Sequence, residues 1–387
     1  MSILGFFLFP VAAGKLPYYE KGLYGLLLFI VALQVVTLGE TPFGNMGKSK
    51  PLLGAGALMA SFGIVTCFIP EVFGEIPRWV LFICFTPGGL FLLAQMLFSR
   101  NKLRSWLGYG GIFRHLIYAC AAVYTLSIVL GVLLWKPLLL TTPQTGVTAL
   151  LFGSALFYLA IVLHKIYRAY PEARKTTEAR GPLETDKTVL LLTGIFMILL
   201  GVLLVPVSFG KLPFSGSAQL GLLMVIFSIQ MLAFGSTPLG AFPRSWVMIF
   251  LGFLFGGLGI ASCILPGVLV TPLTVLVGVL NILGGSINLL KLWFPLLGMR
   301  NTAKTPLPKI LLHLYSTQTA MVLLSILFGT SMFFSGLLPG YVIGVVLAAN
   351  GGALLYLLYL ILLLGKMKES GGESSSQRKP SNSMRKP

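Results

Sequence analysis

The stretch PVAAGKLPYYEKGLYGLLLFIVALQVVTLGETPFG, Pro10–Gly44, returns 196 residues later as PVSFGKLPFSGSAQLGLLMVIFSIQMLAFGSTPLG, Pro206–Gly240. Gly14-Lys15-Leu16-Pro17 answers to Gly210-Lys211-Leu212-Pro213, Gly25 to Gly221, Gln34 to Gln230, and Gly39 to Gly235. Thr41-Pro42 answers to Thr237-Pro238. Working outward, the register holds without a gap through Gly63 and Gly259, Cys67 and Cys263, Pro70 and Pro266, and Gly88-Gly89 and Gly284-Gly285. After a two-residue shift His115 meets His313. Gly, Pro, Gln, Cys and His kept in one register identify a tandem duplication, the kind of self-similarity to be sought before any other reading.

Between its punctuating Gly and Pro residues the quoted stretch is apolar for a full membrane crossing, and the rest of the chain follows suit. Of 387 residues 56% are hydrophobic and 10% charged, against about 25% charged in an ordinary soluble domain. Runs of about 18 or more apolar residues read as membrane-spanning helices. The runs predict spans at 22–39, 52–70, 78–98, 112–134 and 145–167 in the first half. The second half gives 189–209, 217–235, 246–266, 271–294, 310–335 and 338–365. Ahead of them Ser2–Ala13 is apolar but short, covering about 18 Å of a roughly 30 Å hydrocarbon core. It reads as a short or re-entrant helix, or as the remnant of a longer one if translation starts upstream of Met1. A cleaved signal peptide does not fit, since no basic segment precedes the apolar run.

The expected architecture is therefore an all-α polytopic membrane protein of about twelve transmembrane helices in two tandem six-helix repeats. The first repeat spans 1–169 and the second 188–368. A basic cytoplasmic linker at 170–187 and a polar tail at 369–387 read as flexible. An even number of crossings per repeat inserts both copies the same way up, related by a pseudo-two-fold axis along the membrane normal. Orientation follows from Lys and Arg, which concentrate in short cytoplasmic loops. With the N-terminus inside, 23 of the 28 fall on the inner side, and Lys15, Lys21, Arg78, Lys136 and Lys211 stay outside. Both termini are then cytoplasmic, and the plasma (inner) membrane is the expected location. The net charge of +18 is explained by topology, which removes the case for nucleic-acid binding.

Each half also reads as hairpins in which an ascending helix, a Pro-containing outer turn and a descending helix rich in small residues succeed one another. Examples are Pro206 with Gly221, Pro266 with Gly284-Gly285, and Pro339 with Gly351-Gly352. Small residues let membrane helices approach closely where lipid removes any hydrophobic drive. The hairpin Ile249–Leu292, with Gly256-Gly257, Gly259, Pro266, Gly278 and Gly284-Gly285, resembles the helical-hairpin unit of HdeD-type acid-resistance membrane proteins. The resemblance implies repeated hairpins, an inner-membrane location and a link to acid stress, without a catalytic site. The twelve segments, the Gly-Lys-Leu-Pro and Thr-Pro-x-Gly elements and the paired cysteines depart from that pattern.

Ionisable residues within spans are costly and usually functional. Here Asp and Glu are absent from Lys187 to Lys368, while Glu20, Glu71 and Glu75 lie at the outer edge of the first half and Glu40 at the inner edge. Coupling to an ion gradient through a buried carboxylate is disfavoured, and no Gly-rich phosphate loop with a following Lys points to ATP. The duplicated polar residues remain. Lys15 and Lys211 either attract an anionic solute or headgroup at the outer mouth or snorkel to the interface. Gln34 and Gln230 either line a solute path or hydrogen-bond across helices. Thr41-Pro42 and Thr237-Pro238 follow glycines that stop helices.

Cys67, Cys84, Cys120 and Cys263 contain no C-x-x-C and no zinc spacing. Cys67 and Cys263 stand apart, each three residues before a Pro near the outer end of an equivalent helix. Helices lining the pseudo-axis would bring them toward the roughly 4 to 7 Å Cα separation of a disulfide. Such a pair resembles the DsbD/CcdA thiol carriers, which however use inverted repeats. Buried cysteine acting as a small hydrophobe is the other reading. His115 and His313, at the inner ends of equivalent helices, form a symmetric pair suited to sensing pH. Neither a metal nor a cofactor is called for.

The functional expectation is a non-enzymatic permease-like or stress-associated protein moving a small solute between the halves, near Gln34, Gln230, Lys15 and Lys211. The alternatives are a thiol carrier through Cys67 and Cys263 and a structural scaffold bound to a membrane protein partner. The lipid bilayer is the one partner required by composition. The major facilitator class is similar in length and six-plus-six arrangement, but its charged inner-loop motif is missing where Gly-Glu-Thr-Pro-Phe-Gly stands.

Overall fold

The protein is described by a computed structural model covering all residues except Lys48, 99–110, 137–138, 171–184, 238–239, 242–244, 303–308, 335–337 and 377–387. Among the described residues it is all-helical. The first half contains α1 (Ser2–Ala12), α2 (Glu20–Leu38), α3 (Lys50–Phe68), α4 (Ile76–Phe98), α5 (Ile112–Trp135) and α6 (Thr142–Ala169). The second contains α7 (Thr185–Ser208), α8 (Gly216–Phe234), α9 (Trp246–Ile264), α10 (Val270–Thr302), α11 (Lys309–Phe333) and α12 (Gly340–Ser376). Ten of these are long and apolar enough to cross a membrane; α1 and the apolar stretch Gly216–Leu232 of α8 are the shorter ones. The chain is thus a multi-pass membrane protein whose spans contact the lipid bilayer, with residues such as Trp246, Phe250 and Phe157 turned outward.

The helix bounds coincide at the same 196-residue displacement as the sequence matches: α2 with α8, α3 with α9, and the ends of α1 and α7. Local chemistry explains why. Ser49 and Ser245 cap α3 and α9, their hydroxyls accepting from Leu52 N and Met248 N. Gly39 and Gly235 end α2 and α8 in the left-handed region, at φ 71° and 68°. The Thr-Pro-x-Gly segments that follow fold into two-residue antiparallel hairpins, Glu40–Thr41 with Gly44–Asn45 and Ser236–Thr237 with Gly240–Ala241. In the first of these, the Thr41 hydroxyl donates to Gly44 O at 2.7 Å. At the opposite membrane face Gly14 and Gly210 carry φ 67° and 69°. There the amides of Lys15 and Lys211 donate back to Pro10 O and Pro206 O, each at 3.0 Å. Gly-Lys-Leu-Pro is therefore a helix stop that ties off the last carbonyls of α1 and α7.

Two departures concern helix ends. The span read at 271–294 continues as α10 to Thr302, and α12 continues to Ser376, into the stretch read as a flexible tail. Extending an established helix adds one hydrogen bond for each residue fixed, so polar residues do not stop it as they stop an apolar run. Positions 171–184 of the linker and 377–387 of the tail lie outside the described residues.

Packing follows one pattern twice. In the first half α1 packs on α6, α2 on α3, α4 on α5, and α5 on α6; in the second α7 packs on α12, α8 on α9, α10 on α11, and α11 on α12. Small residues set these approaches. A methyl built on Gly25 would lie 2.6 Å from Gly63 O, and one on Gly221 would lie 2.6 Å from Gly259 O. Gly5 against Gly146 O (2.7 Å) and Gly201 against Gly344 O (2.4 Å) repeat the arrangement for α1–α6 and α7–α12. These backbones touch, which replaces the missing hydrophobic drive by van der Waals contact.

The halves meet through α1 on α9 and α3 on α7, and through α2 on α9 and α3 on α8. Two backbone hydrogen bonds cross reciprocally: Tyr19 N donates to Ile264 O at 2.8 Å, and Ser215 N donates to Phe68 O at 2.9 Å. Phe29, Phe68, Phe196, Leu222 and Met224 fill the centre, each under 2% exposed.

Candidate functional site

Cys67 and Cys263 meet at this interface. Both are fully buried and lie close to one another. Each sulfur also points at a carbonyl of its partner hairpin helix, Cys67 Sγ at Gly22 O (3.6 Å) and Cys263 Sγ at Ala218 O (3.7 Å). Tyr19 completes the surround, its hydroxyl donating to Cys67 O at 3.3 Å. Beside them Ser217 Oγ donates to Ser262 O at 2.8 Å, and Ser262 Oγ to Ser217 O at 2.8 Å.

The other duplicated residues do not converge. Gln34 is exposed on α2, whereas Gln230 donates from α8 to Thr193 Oγ1 on α7 at 3.2 Å. The two glutamines therefore sit in different surroundings. Lys15 and Lys211 are exposed at the helix stops described above. His115 shares a 2.7 Å hydrogen bond with Tyr158 Oη of α6, and His313 is exposed on α11, so the imidazoles occupy separate halves. Among the described residues no group of three His, Cys, Asp or Glu gathers as a metal site.

The space between the halves, where a solute path was expected, is occupied by the aromatic and aliphatic core. A cavity of about 180 Å³ lies instead inside the first half, among α1, α2, α4, α5 and α6. Its walls are leucines, including Leu23, Leu27, Leu130 and Leu133, and its polar end gathers Glu20, Tyr24, Thr142 and Thr145 at the face that carries Gly-Lys-Leu-Pro. Tyr24 Oη donates to Glu20 Oε1, and Thr145 Oγ1 donates to Thr141 O at 3.2 Å. In the second half the equivalent positions are Gly216 for Glu20, Leu220 for Tyr24, Gly340 for Thr142, Ile343 for Thr145 and Leu347 for Ala149. The polar side chains are lost there: glycine stands for Glu20 and Thr142, leucine for Tyr24, and the larger Ile343 and Leu347 stand for Thr145 and Ala149, with Leu347 buried at 1% exposure. Sequence reading passed over Glu20 and Tyr24 because it sought residues retained between the halves. The signal for this cavity is the residues that differ.

Next to the mouth Glu75 joins three helices. Lys21 Nζ lies 3.3 Å from Glu75 Oε1 and donates to Gly74 O at 2.6 Å. Arg78 Nη1 reaches Glu75 Oε2 at 3.0 Å, while its Nε and Nη2 donate to Leu134 O and Trp135 O at the end of α5. Hydrogen bonds from Arg78 and then from Lys21 hold the Glu75 carboxyl below its ordinary range. A lowered value stabilises the fold above the unfolded carboxylate value of about 4.3, and this contribution disappears as pH falls through the folded value. Glu75 is largely exposed, so each pair contributes at most about 1 kcal/mol. Thermal unfolding of the detergent-solubilised protein is expected to shift downward between about pH 5 and 3, and Glu75→Gln to remove that component. An unchanged pH profile in the variant would exclude this role.

No family model matches the chain, and no curated protein or solved structure matches it either.

Proposed function

We propose that the chain is a twelve-span inner-membrane protein that arose by tandem duplication. In this reading both termini are cytoplasmic, and the chain is a non-enzymatic, permease-like component whose first half carries the solute site. The distribution of Lys and Arg supports the orientation, with the Gly-Lys-Leu-Pro face outside. Coincident helix bounds and reciprocal contacts support the duplication. One observation carries the functional reading: a polar-ended, leucine-walled cavity in the first half whose polar residues are replaced by Gly, Leu and Ile at the equivalent positions of the second half. Concave sites with apolar walls and a few convergent polar groups are where small molecules bind. Two copies related by duplication need only one such site, and the second half then serves as its support.

The test is flux of small amphiphilic solutes into proteoliposomes containing the purified protein. Thr145→Ile with Ala149→Leu gives the first half the side chains that the second carries, and it is expected to abolish flux while the protein stays folded. The reverse pair, Ile343→Thr with Leu347→Ala, is expected to leave flux unchanged. Equal flux in wild type and the filled cavity would overturn the reading.

A stress-associated role is the second reading, favoured by the Glu75 ion pairs, which join α2, α4 and α5 and weaken only in acid. The thiol-carrier alternative is weakened by the complete burial of Cys67 and Cys263, because exchange with a partner requires an accessible thiolate.

A further inference from the structure

We infer that the cavity of the first half takes a small organic ammonium ion, its head on the Glu20 carboxylate and its alkyl body among Leu23, Leu27, Leu130 and Leu133. The inference rests on the reading of that cavity as a solute site. Glu20 is the one acid among the cavity-lining residues. Its Oε1 accepts from Tyr24, and no cation of the described chain pairs with it. Lys21 and Arg78 are committed elsewhere: Lys21 to Gly74 O and Glu75, and Arg78 to Glu75, Leu134 O and Trp135 O. The Thr145 hydroxyl spends its proton on Thr141 O, so what it offers the cavity is an acceptor. The Tyr18 and Thr142 hydroxyls and Met1 also line the chamber, and the Glu20 charge at its mouth is what favours a donor-rich cation over an anion.

Starting a helix with an acid is common, because the N-terminal dipole favours negative charge. The equivalent helix α8 nevertheless starts at Gly216 and is capped by Ser215, whose hydroxyl accepts from Ala218 N. α2 has no such side-chain cap at Tyr19, so Glu20 also serves its helix start. Tyr24 is 4% exposed, and its phenol proton goes to Oε1 of the carboxylate. An ammonium with a short alkyl chain fits this shape, and the same chemistry is available from a free amine or from the headgroup of an ethanolamine lipid.

Titration of the purified full-length protein in detergent with n-butylammonium, butan-1-ol and butyrate distinguishes the classes. Butylammonium is expected to bind and butyrate not to bind. Glu20→Gln should weaken butylammonium by about tenfold or more, the loss of one charge-assisted contact, and leave butan-1-ol unchanged. Glu20→Asp, which keeps the charge, should restore most of the preference and shows that the site is still formed. Butylammonium binding equally to wild type and Glu20→Gln would overturn the inference, as would butyrate binding as well as butylammonium. Repeating the titration in nanodiscs assigns the source. Competition by phosphatidylethanolamine, absent with phosphatidylcholine, identifies the lipid headgroup as the occupant; equal binding in both identifies a free amine. If butan-1-ol binds and the cavity-filled variant loses it without any ammonium preference, the cavity survives as a solute site and the ammonium inference falls. If none of the three probes binds and filling the cavity leaves flux unchanged, both fall together.

Discussion

Gly63→Leu is expected to leave no monodisperse protein on size-exclusion chromatography in detergent, whereas Gly54→Leu on the same helix is recovered at wild-type yield. A methyl on Gly63 would lie 2.8 Å from both Gly25 O and Phe29 N and 3.1 Å from Leu28 Cβ, while nothing stands within 4 Å of one on Gly54. The first two neighbours are backbone, which no rotamer change can move aside. Accommodating leucine forces α2 and α3 apart, and overpacking that costs 1 to 3 kcal/mol in a deformable core is expected to reach about 3 kcal/mol or more here. Helix association in lipid depends on that close contact, and whole domains are stable by only about 5 to 15 kcal/mol. Gly259→Leu should behave like Gly63→Leu, since its methyl would meet Gly221 O at 2.6 Å and Val225 N at 2.8 Å. Recovery of both variants at wild-type yield would show that the α2–α3 and α8–α9 contacts are dispensable.

The second large effect is a crosslink. With a protease site inserted in the Lys- and Arg-rich linker at 171–184, cleavage divides the chain into its halves. Mild oxidation with copper phenanthroline is expected to return them to one band on a non-reducing gel. Two neighbouring thiols lose two protons and two electrons to the oxidant and form a single S–S bond between Cys67 and Cys263. Cys67→Ser or Cys263→Ser should abolish the band, and Cys84→Ser should not. In the untreated protein both thiols should resist maleimide until the protein is denatured, because each is fully buried. Rapid labelling of the native protein would contradict the packing around them. Failure of the halves to join under oxidation would show that the sulfurs never reach bonding geometry.

Much of the fold was legible in the sequence. Apolar length located the spans, but the hairpins read across the outer Pro turns at Pro206 and Pro266 are not the main pairs: α8 packs on α9 and α10 on α11. The cysteines were singled out for their register alone, and they do meet. Gly-Lys-Leu-Pro was noticed for its lysine, but its glycine carries the structure, since ending a helix requires the left-handed backbone. Gln34 and Gln230 show that identity of residue does not guarantee identity of surroundings: Gln34 is exposed on α2, whereas Gln230 bonds Thr193 of α7. The cavity escaped for a related reason. Glu20, Tyr24 and Thr145 are unremarked in a search for agreement, and their meaning emerges only when Gly216, Leu220 and Ile343 are set beside them.

The exchanged hydrogen bonds, Tyr19 N to Ile264 O and Ser215 N to Phe68 O, carry a consequence for assembly. Each half supplies the donor that the other's third helix needs at its end, so neither half is complete until the other has inserted. Two half-length chains could satisfy the same pair of bonds as a symmetric homodimer. Joining them end to end would add no contact at the interface, yet it would turn an encounter between two molecules into a local event at millimolar effective concentration. In the proposed duplication, joined copies need not stay identical, and one is free to acquire a chamber that symmetry would otherwise impose on both.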